Sequence, residues 1–229
     1  MRDRRRAETV REIKEAALRL LAEGAGAGGL SLRGVARAVG MTVQSLYNYF
    51  DSREALLTAL VVDGHRDLAI AVQSAVDAFA GSSTLDRRIA ATEAFREWAL
   101  TNRSAFLLLY GTPVEGYLAL RQEEIGDASL GLAAPFLEVV FEGWSPADLA
   151  ALTVPGFAPA VEQTHDQGIP LPPGALAFFI ELRARMHGLV MLELLGHLFP
   201  FNDVAGELFH TAMIRLSADV DAAHAAVRS

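Results

Sequence analysis

Residues 29–57 read GLSLRGVARAVGMTVQSLYNYFDSREALL, and the helix-capping residues of this stretch predict two short helices joined by a tight turn. Ser31 is a favourable N-cap for a helix over 32–39, and Thr42 is one for a helix over 43–49. A glycine between the two helices suits the turn. Two helices that meet across such a turn form a helix-turn-helix.

The second of these short helices has two faces of different chemistry. At about 100° per residue, Leu46 and Phe50 fall together and are predicted to pack inward. The opposite arc is almost uncharged and offers amides, hydroxyls and phenols, with Gln44, Ser45, Asn48 and Tyr49 on it and Val43 and Tyr47 at its flanks. Glutamine and asparagine amides can bond adenine, valine methyls can contact thymine, and hydroxyls suit phosphate oxygens. This face is therefore predicted to contact duplex DNA.

Cationic residues flank the predicted DNA-contacting face. Arg33 lies in the preceding helix, and Arg53 begins a helix predicted over about 53–79, so both can neutralise phosphates. A flexible arm along a groove is predicted for the N-terminal arginines, which are Arg2, Arg4, Arg5 and Arg6. The same periodicity also fits polar surface helices of an all-α protein, and periodicity by itself leaves both interpretations open.

The rest of the chain also reads at the helical period, which predicts an all-α protein. Further helices are predicted over about 5–23, 84–101, 103–111, a broken stretch 116–143, 146–151, 174–198 and 202–222. The last two are apolar on more than one face, so each needs a second packing partner. We expect a homodimer paired through them, with interface candidates Leu182, Leu189, Leu192, Leu208 and Met213.

Composition and charge narrow the classes of function. The chain has 229 residues, 52% hydrophobic and 21% charged, so it can bury a large core. The absence of cysteine excludes disulfides, thiolate zinc sites and thiol nucleophiles, and favours the cytoplasm. Residues 1–60 hold 10 basic and 7 acidic residues (+3), and the remainder holds 10 and 21 (−11), which gives the net charge of −8. The N-terminal segment is basic and the rest of the chain is acidic. This charge distribution predicts that only the N-terminal segment binds an anionic partner.

The sequence lacks the patterns that are typical of several kinds of catalytic, phosphate-binding and metal-binding site. No glycine-rich phosphate loop follows a strand, and no nucleophile elbow occurs. Glu193 and His197 stand four residues apart on one predicted helix, but two ligands do not complete a metal site. We therefore expect no catalytic residue, no metal and no cofactor. No uncharged apolar run reaches about 18 residues, and no apolar signal core follows the basic N-terminus, so no membrane partner is expected.

The segment 8–60 resembles the tetracycline-repressor (TetR) family of bacterial regulators. The resemblance rests on the signature Leu46-Tyr47-x-Tyr49-Phe50-x-Ser52-Arg53-Glu54-x-Leu56-Leu57. It implies an all-α homodimer with two domains in each subunit. The DNA-binding helix-turn-helix domain is expected over 1–55, and a helical domain that binds a small ligand and dimerises is expected over 56–229.

The resemblance also implies roles for individual residues. Arg33 is similar in position to a residue that reaches a base from the second helix, and Thr42 to a cap that touches phosphate. Base-reading or near-base positions fall on Val43, Gln44 and Tyr47, and phosphate positions on Ser45, Asn48 and Tyr49. Arg53 replaces the usual lysine that anchors the next helix on phosphate, and it keeps the charge. Val43 is less polar than the residue that many members of the family have at this position.

Two C-terminal segments, 111–117 and 186–193, resemble a subgroup whose regulatory domain is named for a Trp-His-Gly pattern. Arg183 stands about where that tryptophan is expected. The aromatic residues of the body predict a mostly apolar pocket of about 300–1,000 Å³ between helices. The ligand-binding candidates are Trp98, Phe106, Tyr110, Tyr117, Phe136, Phe178 and His187. The expected ligand is lipophilic and neutral or weakly cationic.

Together, the sequence patterns and the resemblance to the TetR family imply a ligand-responsive transcriptional regulator that binds a palindromic DNA operator as a dimer. A repressor released by a small lipophilic effector is the expected form, with recognition helices about 34 Å apart, or a near multiple of that distance, in successive major grooves. Two alternatives stay open: a transcriptional activator, and a helical ligand carrier or enzyme with a vestigial DNA-binding domain.

Overall fold

The structure is a computed structural model that describes residues 2–25, 30–111, 122–153 and 171–229. Within these ranges the chain forms ten α-helices and no strand, which confirms the all-α class. The helices are α1 (Arg2–Leu20), α2 (Leu32–Ala38), α3 (Val43–Tyr47), α4 (Arg53–Ala78), α5 (Thr84–Thr101), α6 (Arg103–Tyr110), α7 (Gln122–Val140), α8 (Pro146–Ala151), α9 (Pro173–Leu194) and α10 (Ala205–Val227). A π-helical turn over Leu21–Ala25 follows α1, and a 3₁₀ turn over Asn202–Val204 precedes α10.

Within the described residues, the predicted helices correspond to observed ones, and most bounds agree within a few residues. The first residues of the stretch predicted over 116–143, up to residue 121, lie outside the described residues. The helix predicted over 174–198 ends earlier, at Leu194. Gly196 has a φ of 74°, a left-handed conformation that ends the helix, and the amide of His197 donates to the carbonyl of Leu192 at 2.8 Å. The glycine therefore closes α9 before the predicted end.

The prediction of a flexible arginine arm is wrong, because α1 begins at Arg2. Arginine is a strong helix former, and no glycine or proline occurs between Arg2 and Leu20. The basic residues are therefore the first turns of α1. The side chains of Arg4, Arg5 and Arg6 are all exposed.

The chain divides into two compact units, 1–67 with 102–129, and 68–101 with 130–229. The predicted boundary between residues 55 and 56 lies inside α4 and stays a prediction.

The core of the first unit follows the predicted apolar positions. The inward positions Ile13, Ala16 and Ala17 of α1 have no exposed surface, and neither do Val35 of α2 and Leu46 of α3. α1 packs on α2, and α2 packs on α3. These contacts give the short helices α2 and α3 a common hydrophobic base.

An ion pair joins α1 to α4 within the first unit. Lys14 Nζ lies 2.5 Å from Asp63 Oδ2, and the lysine side chain is mostly buried. Asp67 follows one turn later on α4. Burial raises the pKa of its carboxyl group, and the neighbouring Asp63 charge adds to that rise, while Lys14 opposes it.

A buried arginine organises the core of the second unit. Arg88 of α5 donates from Nε to the carbonyl of Val139 at 2.9 Å and from Nη2 to the carbonyl of Val140 at 3.2 Å. Its Nη1 donates to Ser217 Oγ at 3.1 Å and to Asp221 Oδ1 at 2.6 Å. The guanidinium therefore satisfies the last carbonyls of α7 and ties them to α10.

Two more polar contacts fix helices of the second unit. Arg96 of α5 pairs bidentately with Glu193 of α9, with Nε to Oε2 at 2.7 Å and Nη2 to Oε1 at 2.5 Å. The hydrogen bond with Glu193 raises the pKa of Arg96. Ser145 and Asp148 form a reciprocal capping box at the start of α8, and the backbone amide of Ser145 lowers the pKa of the Asp148 carboxyl.

Candidate functional site

The turn between α2 and α3 is built by caps at both of its ends. Ser31 Oγ accepts a hydrogen bond from the amide of Gly34 at 3.1 Å, which caps α2. Gly40 has a φ of 69°, a conformation that favours glycine, and it allows the chain to reverse. Thr42 Oγ1 then accepts from the amide of Ser45 at 3.1 Å and caps α3. The sequence predictions of both caps are confirmed.

The polar side chains of α3 share its outer face. Leu46 and Phe50 are buried on the opposite side, as their positions predicted. Gln44 and Asn48 are exposed, and Tyr47 is 47% exposed. The exposed Thr42 and the half-buried Val43, Ser45 and Tyr49 complete the predicted set. α3 therefore presents amides and hydroxyls to solvent on a base fixed by two apolar anchors.

Hydroxyl groups at the start of α3 already bond to each other. Thr42 Oγ1 and Ser45 Oγ lie 2.8 Å apart. Each hydroxyl oxygen has further capacity as donor or acceptor. The pair fixes the two side chains in one orientation next to the exposed Gln44.

The predicted flanking cations differ in their surroundings. Arg33 is exposed on α2, where it can reach an anion. Arg53 has a 22% exposed side chain, its Nε donates to the carbonyl of Leu30 at 2.8 Å, and its Nη1 lies 3.5 Å from Glu54 Oε1. The structure thus shows Arg53 joining the start of α4 to the carbonyl of Leu30, and its predicted contact with phosphate stays a prediction.

The sequence analysis placed Arg6 in a flexible arm and missed its contact with the end of α3. Its Nη2 donates to the carbonyl of Asn48 at 3.0 Å, and its guanidinium carbon lies 5.0 Å from the centre of the Tyr49 ring. Arg6 stands seven residues before the buried Ile13, so a helix extended upstream places the two residues on the same side of α1. If the N-terminal arginines are assigned to α1, this helical spacing is the sequence signal that could have predicted the contact of Arg6.

Two family profiles match the chain. The profile of bacterial regulatory proteins of the tetR family matches residues 13–60, which contain α2 and α3. The profile of the tetracyclin repressor-like C-terminal domain matches residues 89–216, more than half of the chain. The chain belongs to the tetracycline-repressor (TetR) family. This is a family of regulatory proteins and not of enzymes.

Relatives of this TetR-family chain include transcriptional regulators. It is 42% identical over 124 residues to the HTH-type transcriptional regulators Rv1816 of Mycobacterium tuberculosis and Mb1846 of Mycobacterium bovis. The match covers 54% of this chain and 53% of each relative, so the chain spans about half the length of the curated relatives it matches.

Solved structures share the TetR-family fold over nearly the whole chain. A candidate regulatory protein, SCO4313, has a TM-score of 0.74 at 29% identity and covers 94% of this chain and 98% of its own. A protein of unknown function from Rhodococcus sp. RHA1 has a TM-score of 0.62 at 26% identity, with coverages of 91% and 95%. The Trp-His-Gly subgroup stays a prediction.

The predicted ligand residues fall in both units. In the first unit, Phe106 and Tyr110 have ring centres 5.0 Å apart, and Tyr110 also lies edge-on to His65 at 5.8 Å. In the second unit, Phe136 and His187 lie 6.0 and 5.5 Å from the ring of Phe95. Trp98 and Phe178 are half-buried, and Tyr117 lies outside the described residues. Phe95 joins two predicted residues and was itself left out of the predicted set.

His187 is neutral at physiological pH. Burial lowers its pKa from the ordinary value of 6.5 to about 4, and the positive charge of Arg183 adds to that effect. A neutral imidazole beside the Phe95 ring has one donor and one acceptor, and it adds no charge to these apolar surroundings.

Acidification is expected to destabilise the protein through His187. Between pH 4 and pH 6.5 the unfolded chain binds a proton here that the folded chain does not, so stability falls as pH falls through this window. Going from pH 7 to pH 5 should remove about 2 kcal/mol from the free energy of unfolding. Urea unfolding at both pH values measures this loss, and the His187→Gln variant should lack that part of it. An equal pH dependence in both proteins would contradict the prediction.

A surface groove in the second unit offers another location for a ligand. Its volume is about 410 Å³, and apolar side chains of α4, α5 and α10 supply most of its lining. Glu93 and Glu97 add negative charge, and His210 Nδ1 lies 3.1 Å from Glu93 Oε1. None of the six predicted ligand residues within the described ranges lines this groove.

The predicted dimer residues separate into buried and exposed groups. Leu182 and Met213 are 4% and 2% exposed, so they pack in the core of their own chain and leave little surface for a partner. Leu192 and Leu208 are 42% and 44% exposed, and Leu189 is half-buried. The predicted dimer interface therefore rests on Leu189, Leu192 and Leu208. The helical period could not separate the two groups, because α9 and α10 are apolar on more than one face.

Exposed apolar side chains are concentrated around the end of α9 and the start of α10. We call this set the α9–α10 apolar segment, and its members are Leu192, Leu195, Phe199, Phe201, Val204 and Leu208. Concentrated exposed apolar surface is typical of an interaction site.

None of the described helices combines the length and apolar character that a membrane crossing requires. Within the same described ranges, no three histidine or acidic side chains are grouped closely enough to hold a metal ion.

Proposed function

We propose that this TetR-family transcriptional regulator binds a palindromic DNA operator as a homodimer in the cytoplasm and acts as a repressor. α3 enters the major groove and reads bases with Val43, Gln44 and Tyr47. Arg33, Thr42, Ser45, Asn48 and Tyr49 contact phosphates or the nearby base edges, and Arg53 anchors the start of α4 on phosphate. The exposed, uncharged hydrogen-bonding face of α3 is the observation that carries this proposal.

The chemistry of that face favours DNA over a solvated surface. A helix surface that meets only water is usually filled with lysine and glutamate, but α3 has neither. Desolvating an amide or hydroxyl costs less than desolvating a charge, provided that a hydrogen-bonding partner replaces water. Base edges offer such partners in the major groove.

A small lipophilic effector is proposed to release the operator. The aromatic cluster of Phe95, Phe136 and His187 supports such a site in the second unit, because its polar group is neutral. The effector can act only by binding the DNA-competent and incompetent states unequally, and about 1–3 kcal/mol of coupling is enough to change operator occupancy several-fold.

Selection from random duplexes tests the proposed DNA binding directly. The full chain should enrich an inverted repeat, and its affinity for that duplex should fall steeply between about 50 and about 200 mM salt as counterions are released. An inverted repeat in the DNA that flanks the coding region is the natural first probe. Failure to enrich any sequence at low salt would overturn operator binding and favour a ligand carrier or enzyme.

Gln44→Ala is expected to weaken binding to the selected duplex by about 1–3 kcal/mol and to relax the preference at one base position. The reason is that its exposed amide is the group best placed to bond a base edge bidentately. Competitive gel shifts against single-base variants of the duplex measure both effects. Gln73→Ala removes a glutamine of α4 that bonds Asp77, and it should leave both quantities unchanged.

The sign of regulation needs a separate measurement. Transcription in vitro from a promoter that carries the selected duplex should fall on addition of the protein. A rise in transcription would identify an activator and leave the DNA-binding part of the proposal intact.

A further inference from the structure

The C-terminal end of α3 receives a contact from outside the helix-turn-helix. Arg6 of α1 donates from Nη2 to the carbonyl of Asn48 at 3.0 Å and places its guanidinium over the ring of Tyr49 at 5.0 Å. Both partners carry predicted phosphate contacts. Arg6 thus holds the backbone of one of these residues and the side chain of the other.

α3 needs such support because it is short. It has five residues, and helices of that length do not persist by themselves in water. Thr42 caps its start, and the buried Leu46 anchors it in the core. Past the last helical residue, the amides of Asn48 and Tyr49 bond only to the carbonyls of Ser45 and Leu46 among the backbone groups described, at 3.2 and 2.9 Å.

The two contacts of Arg6 suit a guanidinium in particular. Its planar group can donate to a carbonyl in its own plane while its face lies over an aromatic ring. A basic side chain at a helix C-terminus also bonds the last carbonyls and is favoured by the helix dipole. A lysine can keep the charge and one hydrogen bond, but it has no planar face to stack.

We propose that Arg6 is a positioning residue that holds the C-terminal end of α3, with Asn48 and Tyr49, in the orientation that binds DNA. The inference rests on the proposed DNA-binding function and adds a specificity-determining residue outside the helix-turn-helix. It differs from a direct phosphate contact in one respect. A positioning residue changes the ratio of specific to non-specific affinity, whereas a phosphate contact weakens both alike and lowers the salt dependence.

The first test uses the full chain without DNA. Hydrogen exchange of the amides of Asn48, Tyr49 and Phe50 should be several-fold faster in Arg6→Ala than in the wild type, because the external hold on their turn is lost. Amides in the buried part of α5 serve as the internal reference. Arg5→Ala removes the same charge from an exposed neighbouring position and should leave these amides unchanged.

The second test compares two duplexes of about 30 base pairs, one enriched by the wild-type chain and one of scrambled sequence. Arg6→Ala should lower the ratio of the two affinities about tenfold, the factor that corresponds to one charge-assisted hydrogen bond. Arg6→Lys should show an intermediate ratio with the wild-type salt dependence. Arg5→Ala should leave the ratio within about twofold of the wild type, whether or not it touches phosphate.

The outcomes separate the inference from the function on which it rests. Unchanged exchange at Asn48–Phe50 in Arg6→Ala, or an equal loss of affinity on both duplexes, overturns the positioning role. Full recovery of the ratio by Arg6→Lys overturns the role given to stacking on Tyr49, because a lysine keeps only the charge and one hydrogen bond. If the wild-type chain enriches no duplex, the proposed function fails and the role of Arg6 in DNA binding fails with it. The exchange measurement still decides whether Arg6 holds the end of α3.

Discussion

Replacing Arg88 with alanine is expected to lower the free energy of unfolding by about 3–5 kcal/mol, because the change breaks a buried and fully engaged charged group. The guanidinium bonds the carbonyls of Val139 and Val140, which α7 leaves without helical partners. Truncation leaves these carbonyls unpaired in the interior and opens a cavity beside them. Chemical denaturation with a two-state fit measures the loss.

Arg185→Ala is the matched control for this prediction. Arg185 Nη1 lies 2.6 Å from Asp219 Oδ2, the same separation as the pair between Arg88 and Asp221, and both acidic partners lie on α10. The pair of Arg185 is exposed on both sides, so its loss should cost less than about 1 kcal/mol. Equal losses in the two variants would show that burial of Arg88 contributes nothing to stability.

The double variant Leu192→Glu and Leu208→Glu is expected to be monomeric and to lose about 100-fold or more of its affinity for the operator. Both leucines are more than 40% exposed in the single chain, so the new charges should not disturb its own core. In a dimer formed through the α9–α10 apolar segment, the same charges would be buried without partners. A monomer holds one half-site and loses the second, which is the source of the large effect.

Light scattering measures the oligomeric state of the double variant, and gel shifts measure its operator affinity. Ile70→Glu places a charge on a still more exposed apolar position of α4 and should leave both unchanged. A double variant that stays dimeric would place the interface elsewhere. A monomeric wild-type chain that still binds the selected duplex tightly would overturn the proposed dimer.

Local signals were enough to predict the helix-turn-helix. Ser31 and Thr42 cap the two helices through their own hydroxyls, and Gly40 takes the left-handed conformation that the turn requires. These interactions join residues within a few positions of each other, so they can be read from the sequence. The buried and exposed faces of α3 follow from its period for the same reason.

Contacts between distant residues could not be predicted in this way. Arg88 reaches partners 51 and 129 residues away, and nothing in its local pattern distinguishes it from the neighbouring Arg87. Arg53 bonds a carbonyl 23 residues earlier, and Arg6 bonds one 42 residues later. In each case the sequence predicted charge, and the fold determined whether that charge faces solvent or another part of the chain.

The ion pair between α1 and α4 makes it possible to follow the separation of these two helices by chemical labelling. Lys14 is the one lysine of the sequence, and its ammonium is mostly buried against Asp63. Acylating reagents need the uncharged, accessible amine, so the rate at which they label this side chain reports how often the two helices separate. Mass spectrometry of the peptide that contains Lys14, with and without DNA, would therefore follow that opening separately from acetylation of the N-terminal α-amino group and without any engineered label.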